Sequence, residues 1–229
     1  VFFPSARHLR MDFDTTRSKH GYRQIISDFE DRKVDILVGT QMVTKGLDFD
    51  NVSVVGILNA DNMLNFPDFR AFERSYQLMS QVSGRAGRKK RGKVIVQTYD
   101  PYHPIIRQVI NHDYLGMYQD EIVQRKKFKY PPFQRLIYFS FKHKDQEILN
   151  AGAAEFTNEL KAKFGDRVLG PEFPVISRIK NLYHKNTMLK VEREISVSKT
   201  RKLILAVKNK FEAFSKYKSV RITIDVDPM

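Results

Sequence analysis

The chain has 229 residues, of which 40 are Lys or Arg and 26 are Asp or Glu, and it contains no cysteine. Its length suits two modest domains, and the lack of cysteine excludes disulfides and thiolate-bound metal within it. The net charge of +14 favours a polyanionic partner, nucleic acid before a membrane, and no apolar run approaches the ~20 residues of a membrane span. With no secretory signal pattern either, we expect a soluble intracellular protein, and the start at Val1 suggests a fragment.

The first half alternates apolar, β-branched runs with segments that carry apolar residues at helical spacing. In chain order we predict strand 6–13, helix 21–31, strands 35–38 and 52–58, helix 68–81, strand 93–98, a helix toward 110 and helix 113–129. Strands that alternate with helices are typical of a parallel α/β layer. In the segment 68–81, Phe69, Phe72, Tyr76 and Met79 form an apolar stripe, which we assign to the core rather than to a ligand.

The run Tyr130-Pro131-Pro132-Phe133 marks the predicted domain boundary, because two prolines cannot continue a helix. We therefore divide the chain into 1–129 and 130–229. After the boundary we predict strand 135–143, helix 146–164, short strand 168–171, strand 187–191, helix 198–214 and strand 220–226. This order favours a small α+β domain, in which two helices cover one face of one sheet.

Two arginines three residues apart, each preceded by a glycine, distinguish residues 81–88, Gln-Val-Ser-Gly-Arg-Ala-Gly-Arg. On a helix Arg85 and Arg88 would share one face, and two guanidinium groups at that spacing can grip a polyphosphate. Gly84 and Gly87 are poor helix formers, so a better reason for them is the close approach of a ligand or of another backbone. Taken alone, the segment would favour a basic helix end that faces water.

A second segment lies upstream, where the apolar strand Asp35-Ile36-Leu37-Val38 ends at Gly39 and Thr40. Thr40 offers a hydroxyl and an N–H group at a strand end, where α/β proteins place ligand contacts. Residues 36–49, with Lys45-Gly46-Leu47-Asp48-Phe49, resemble the fifth signature motif of superfamily 2 helicases, and residues 81–88 resemble their sixth. The resemblance implies a RecA-like second helicase lobe, part of it missing, followed by a smaller α+β domain.

The second half narrows this resemblance to the primosomal replication-restart helicases. The segments that carry it are 130–133, 168–171, Arg178 with Tyr183, and the terminal Ile224-Asp225-Val226-Asp227-Pro228. That family implies an ATP-dependent 3′-to-5′ DNA helicase, which recognises stalled forks and D-loops and restarts replication by primosome assembly. Its expected partners are branched and single-stranded DNA, single-stranded DNA-binding protein and other primosome proteins, with no membrane. Its expected location is the bacterial cytoplasm, at the nucleoid.

Roles follow from the resemblance for residues that match the motifs. Arg85 and Arg88 would reach the γ-phosphate of ATP across the cleft between the lobes, and Gln81 would hydrogen-bond near the same phosphate or the attacking water. Gly46 and Asp48 would line the nucleotide side of that cleft, although Asp48 alone also suits a loop residue that caps a turn.

Thr40 is the motif residue expected to contact the DNA backbone and to couple DNA binding to the cleft. The chain departs from the family pattern in lacking a phosphate loop, an Asp-Glu-x-His box and the zinc-binding cysteines. ATP and Mg²⁺ would therefore be held mainly by a first lobe outside this chain, and zinc only in the upstream region. No metal site is predicted in the chain itself, whose six histidines are not clustered at ligand spacing, and we expect no ATP hydrolysis by it alone.

The C-terminal part is the more basic one, with a net charge of +9 over 113–229 against +5 over 1–112. It interleaves Tyr130, Phe133, Tyr183 and Tyr217 with cations, which suits backbone contact and base stacking on DNA, although these rings also suit a core, Phe133 more than Tyr183. At the start of the last predicted helix lie three candidates for binding DNA or the acidic tail of single-stranded DNA-binding protein: Lys199, Arg201 and Lys202.

Two other classes remain open at this point. The chain could be a non-catalytic nucleic-acid-binding module that keeps a helicase-like lobe for its shape, although such a module has no need for the two arginines. It could also be another superfamily 2 translocase with an unrelated tail, which the C-terminal segments argue against.

Overall fold

The computed structural model describes residues 3–16, 19–40, 52–86 and 92–228 of the chain. The chain divides into two compact units, 1–121 and 122–229. The sequence boundary before Tyr130 rests on a different criterion, the end of a helix at two prolines, and it stays a prediction.

The first unit is built from parallel strand pairs and the helices that connect them. Its elements are β1 (His8–Met11), α1 (Lys19–Glu30), β2 (Ile36–Gly39), β3 (Val54–Ile57), α2 (Asp61–Leu64), α3 (Ala71–Ser83), β4 (Lys93–Val96), α4 (Pro104–Ile110) and the first part of α5 (Tyr114–Lys127), which continues past residue 121. Strand β1 pairs with β2, and β3 pairs with β4, both in parallel. The parallel arrangement confirms the α/β prediction, and among the described residues the two pairs form separate two-stranded sheets.

Two small cores hold the first unit together. Met11 at the end of β1 is fully buried and packs against Ile25, Ile26 and Phe29, the helical stripe of α1. A larger cluster joins α3 to α4 and to the end of β3, with Met79 fully buried at its centre. The predicted stripe on α3 is thus confirmed for Tyr76 and Met79 but not for Phe72, which is 40% exposed and touches His103 edge-on at 5.3 Å.

The second unit is an antiparallel sheet with helices on one face. Its elements are β5 (Gln134–His143), α6 (Gln146–Phe164), β6 (Val168–Glu172), β7 (Arg178–Ile179), β8 (Leu182–Glu192), α7 (Val197–Ala213) and β9 (Arg221–Val226). The strand order is β6-β8-β5-β9, with β7 paired to β8. Helix α6 has the predicted bounds, and Asp145 caps it by accepting the N–H groups of Glu147 and Ile148 at 2.8 and 3.0 Å.

Strand β5 is the centre of this unit, and its alternation decides which face is buried. Ile137, Phe139 and Phe141 point toward the helices, where the ring of Phe156 on α6 meets Phe139 at 5.4 Å and Phe141 at 5.3 Å. Side chains one residue away along β5 must lie on the opposite face, because successive residues of a strand alternate. The α+β prediction of one sheet covered on one face by helices is confirmed for this unit.

Strand β8 is longer than predicted and begins at Leu182 rather than at 187. Its first half, Tyr183-His184-Lys185-Asn186, is polar and carries no strand pattern of its own. Pairing with β5 fixes it as strand, since His184 lies opposite Lys142 and Tyr183 opposite His143. A strand at the middle of a sheet gains hydrogen bonds on both edges, which outweigh the weak local preference.

Candidate functional site

The arginine segment does not continue helix α3. The helix ends at Ser83, and Gly84 follows with φ −67° and ψ −3°. Arg85 then lies in a turn, in which its N–H group donates to the carbonyl of Val82 at 3.0 Å. The prediction that Arg85 projects from a helix is therefore wrong, because the glycine-rich sequence after Ser83 loses too much backbone entropy to extend the helix. Arg88 and Gly87 lie outside the described residues.

Gly84 is not required by the chain's own geometry. Its dihedral angles are open to any residue, and a Cβ atom there would meet only the carbonyl oxygens of Gln81 and Ser80, at 3.6 and 3.7 Å. These are ordinary van der Waals distances. Among the described residues nothing crowds a Cβ atom at Gly84. Close approach therefore explains this glycine only if the approaching group is a ligand or a part of the chain outside the described residues.

Three of the six predicted helicase-site residues can be placed. Gln81 is exposed in the last turn of α3, and Arg85 is half-buried just beyond it. Thr40 is exposed in the bend that directly follows β2, at the carboxyl end of the parallel pair β1–β2. Thr40 thus follows the strand pair β1–β2, whereas Gln81 and Arg85 lie at and just beyond the end of α3, whose core residues pack with the end of β3. Gly46 and Asp48, like Arg88, lie outside the described residues.

The sheet that carries Thr40 is fixed at its other end by an ion pair that sequence reasoning missed. The Arg7 guanidinium donates from Nε to Asp35 Oδ2 and from Nη2 to Asp35 Oδ1, each at 2.9 Å. These hydrogen bonds, with one from the Arg7 backbone, lower the pKa of the Asp35 carboxyl to about 2. The pair joins the residues before β1 and β2, so it holds the register that brings Met11 opposite Gly39.

The second unit carries most of the chain's positive charge. Residues 122–229 hold 23 Lys and Arg against 11 Asp and Glu, a net charge of +12, while residues 1–121 hold 17 against 15, a net charge of +2. The net charge thus differs more between the two structural units than between residues 1–112 and 113–229, where it is +5 and +9. A polyanion is therefore expected to bind chiefly to the second unit.

The three predicted cations of α7 are exposed, and they do not form one cluster. Ser196 caps the helix by accepting the N–H of Lys199 at 3.4 Å, and Lys199 and Lys202 follow one turn apart on one face. Arg201 instead lines an apolar groove beside the helix. The first turn of α7 has no acidic residue, so the partial positive charge of the helix terminus adds to these cations.

The groove at Arg201 lies between α7 and the sheet and has a volume of about 290 Å³. Its walls are apolar, and a second cation, Arg135, also lines it. The hydroxyl Oγ1 of Thr200, in the same wall, is buried without a hydrogen-bond partner. The wall residues are Ile137, Val191, Ile204, Leu205, Ile224 and Val226.

The aromatic residues of the second unit do not converge on one surface. Tyr217 stacks on Phe211 at 5.5 Å, and Tyr183 packs partly against the core beneath the guanidinium of Arg178, 5.0 Å from its ring. Phe133 is 37% exposed, so the expectation that Phe133 suits the core better than Tyr183 is wrong.

Of these four rings, that of Tyr130 has the closest cation, since Lys190 Nζ lies 3.7 Å from the centre of the Tyr130 ring. The same Nζ donates a hydrogen bond to the Phe128 carbonyl at 2.8 Å. Burial, and then the charge of Lys129, lower the pKa of Lys190. The Lys190 contacts fasten the segment after α5 to β8.

Among the described residues, no group of three or more His, Asp or Glu side chains is arranged to hold a metal ion. Within the same ranges, no helix has the length and hydropathy needed to cross a membrane.

Comparison with protein families matches the two parts of the chain to two different domains. Residues 6–90 match the helicase conserved C-terminal domain, and residues 126–229 match the primosomal protein N C-terminal domain. The strand pair β1–β2, strand β3 and the arginine turn lie in the first match, β4 lies just beyond it, and the antiparallel sheet with its two helices lies in the second. The fold and the candidate site thus define the second, RecA-like lobe of a helicase, followed by a primosomal C-terminal domain.

Curated proteins similar to this chain along its length carry one name. Replication restart protein PriA of Bacillus subtilis is 42% identical over 228 residues, which cover 98% of this chain and 28% of that protein. Over nearly all of its length the chain is thus similar to proteins of the PriA family. The relative in Synechocystis is 38% identical over 231 residues, or 99% of this chain and 27% of the relative, and that in Thermotoga maritima is 32% identical over 191 residues, or 83% and 26%. The chain thus spans less than a third of the length of these relatives.

Proposed function

We propose that this chain is the C-terminal part of an ATP-dependent 3′-to-5′ DNA helicase, which recognises stalled forks and D-loops and restarts replication by primosome assembly. The observation that carries the proposal is the combination, in one chain, of the arginine segment in a helicase C-terminal domain with a primosomal domain of net charge +11. ATP and Mg²⁺ are held mainly by a first lobe outside this chain, and zinc by the upstream region. Cytoplasmic location, at the nucleoid, follows from the same function.

In this proposal the arginine segment senses the nucleotide. Arg85 and Arg88 neutralise the charge that develops on the γ-phosphate during transfer, with Gln81 beside the phosphate or the attacking water. The turn after Ser83 supports this role, because it frees Arg85 from the helix while keeping it anchored by the hydrogen bond to Val82. Gly46 and Asp48 line the nucleotide side of the cleft.

Thr40 is proposed to contact the DNA backbone. Its exposed position at the carboxyl end of β2 supports the assignment, since α/β proteins place ligands at that edge of the sheet.

Alanine substitution of Arg88 in the full-length protein tests the nucleotide role. We expect Arg88→Ala to lower DNA-stimulated ATP hydrolysis on the order of 10³-fold or more while DNA binding persists. Arg85→Ala should act similarly, with more effect on ATP affinity. Arg91→Ala is the matched control, because it removes the same side chain from the adjacent basic run and should leave turnover unchanged. Undiminished turnover in both Arg85 and Arg88 variants would refute the assignment.

The 229-residue chain alone is expected to show no ATP hydrolysis, with or without DNA, because its sequence has no phosphate loop and no magnesium ligand set. Turnover by the purified chain that follows the protein through successive chromatographic steps would contradict the proposed division of labour.

The start of α7 is proposed to bind either DNA or the acidic tail of single-stranded DNA-binding protein. Lys199 and Lys202 supply charge, and the apolar groove beside Arg201 suits a segment that carries both acidic and apolar side chains. The test compares the parent chain with a Lys199→Ala/Arg201→Ala/Lys202→Ala variant in titrations with the acidic tail and with forked, duplex and single-stranded DNA. If the variant binds all four as well as the parent does, the surface lies elsewhere.

A further inference from the structure

A row of cations crosses three neighbouring strands of the second unit. Lys142 on the central strand β5 lies opposite Arg221 on β9 and opposite His184 on β8. Residues directly opposite each other in antiparallel strands share a face, with Cβ atoms about 4.5–5.5 Å apart. The pairing therefore brings three basic side chains from distant parts of the sequence into one line across the sheet.

The row lies on the face of the sheet that helices α6 and α7 leave uncovered. Phe141, the neighbour of Lys142 along β5, points into the helix-covered core, so Lys142 points the other way. On β9 the alternation is also visible in exposure, because Arg221 and Thr223 are exposed while Ile222 and Ile224 pack against the core.

This arrangement is unfavourable for the folded chain by itself. Like charges directly opposite in a sheet destabilise it, and among the described residues neither Lys142 nor Arg221 has an ion pair with a carboxylate. Burial, and then the charge of Lys142, lower the pKa of His184, which agrees with an uncompensated positive potential at this place. A repulsive pair that nothing else in the unit explains is a candidate for binding an anion.

The next two rows favour nucleic acid over an acidic peptide as that anion. Thr223, Ser140 and Asn186 lie side by side in the second row, where hydroxyl and amide groups can donate to phosphate or sugar oxygens. The third row places Tyr138 opposite Met188, and these partly buried residues supply an aromatic ring and a polarisable side chain against which a base can stack.

Two carboxylates border these rows, Glu172 opposite Asn186 and Asp225 opposite Tyr138. They lie beside the second and third rows rather than beside the cations, and they can accept hydrogen bonds from the amino groups of bases, which ionised acidic side chains cannot donate.

We propose that the sheet face opposite α6 and α7 binds single-stranded nucleic acid, with its phosphates on the cationic row formed by Lys142 and Arg221, beside which the His184 ring can donate a hydrogen bond. The proposal rests on the proposed DNA-binding function of the second unit and assigns it a surface separate from the start of α7. The cations lie at one end of this face, and the pair formed by Tyr138 and Met188 lies further along it. A bound nucleic-acid strand is therefore oriented with its backbone toward Lys142 and its bases toward Tyr138.

The test uses the whole 229-residue chain with a Lys142→Gln/Arg221→Gln variant and a fluorescent oligothymidylate as the probe. Loss of two phosphate contacts should lower the slope of log affinity against log salt by about 1.4, since each contributes about 0.7 on a single strand. At about 0.1 M salt this corresponds to affinity roughly 25-fold weaker. Thermal unfolding, followed by circular dichroism, should occur at the same or a higher temperature, because the variant removes a repulsive pair.

The matched control is Lys161→Gln/Lys163→Gln, which removes the same charge from the exposed end of α6. It should bind nearly as the parent does and unfold at a slightly lower temperature, because cations stabilise a helix C-terminus. A charge-keeping variant, Lys142→Arg/Arg221→Lys, should retain binding.

Each other outcome overturns the inference in a distinct way. If the glutamine variant binds as the parent does, the cationic row is not the site, and the proposed DNA-binding function stands. If the parent itself does not bind at low salt, both the row and the DNA-binding function fail. If the variant unfolds at a lower temperature, the row is structural. If it loses affinity for an acidic peptide but not for oligothymidylate, the ligand is a protein.

Discussion

A buried pair of hydroxyl groups in the second unit permits a sharp test of how its core is held together. Thr157 on α6 and Thr187 on β8 are 0% and 1% exposed, and their Oγ1 atoms are 2.7 Å apart. One hydroxyl donates to the other, and this bond joins the longest helix of the unit to its sheet. Replacing either residue by Val keeps the volume nearly constant and leaves the other hydroxyl buried without this partner.

We expect Thr157→Val and Thr187→Val each to lower the free energy of unfolding by about 1–3 kcal/mol, the penalty of an unsatisfied buried polar group. The double variant should be close to the parent in stability, because it removes both groups together. For a domain of this size each kcal/mol lowers the melting temperature by roughly 4–8 °C. The singles should therefore melt at least about 4 °C below the parent in a thermal scan followed by circular dichroism.

Thr200→Val supplies the matched control, because Thr200 is also buried but its Oγ1 has no hydrogen-bond partner. The same substitution there should be neutral or stabilising. Additive losses in the Thr157→Val/Thr187→Val double variant, or singles as stable as the parent, would refute the role assigned to the hydroxyl pair.

Other predictions test the remaining features of the fold. The Asp35 carboxyl, whose pKa lies at about 2, stabilises the first unit above its unfolded pKa of about 3.9 and loses that contribution as the pH falls toward 2. Carboxyl NMR titration should show this midpoint, and Arg7→Ala should return it toward 3.9; an unchanged midpoint would contradict the pairing. Gly170→Ala should destabilise the second unit by roughly 1–3 kcal/mol, because φ is +102° and the added Cβ would lie 2.8 Å from the Asn186 carbonyl oxygen. Gly56→Ala, where nothing lies within 4 Å, is the control, and equal effects would count against crowding. Phe156→Ala should lower the free energy of unfolding by about 3–5 kcal/mol, because the Phe156 ring is fully buried among three other aromatic rings. Urea titration measures this loss, and a value under about 1 kcal/mol would show that the core repacks around the missing ring.

The sequence by itself determined the elements whose signals are local. The apolar stripe of residues 146–164 predicts helix α6 with its observed bounds, because the helical spacing of Leu149, Phe156 and Leu160 is visible in the sequence. Strand β5 was predicted from its alternation, and the parallel pairs from apolar runs separated by helices. The helicase motifs and the basic C-terminal half were likewise visible in the sequence, because they consist of residue identity and spacing.

Tertiary structure decided what depends on partners distant along the chain. The polar first half of β8 is a strand only because β5 pairs with it, and Arg85 lies in a turn because α3 ends at Ser83. The row that joins Lys142 to Arg221 could not be found from spacing, since 79 positions separate the two residues and only the strand register places them side by side. A one-residue shift of that register would put one of them on the other face of the sheet, because side chains alternate along a strand.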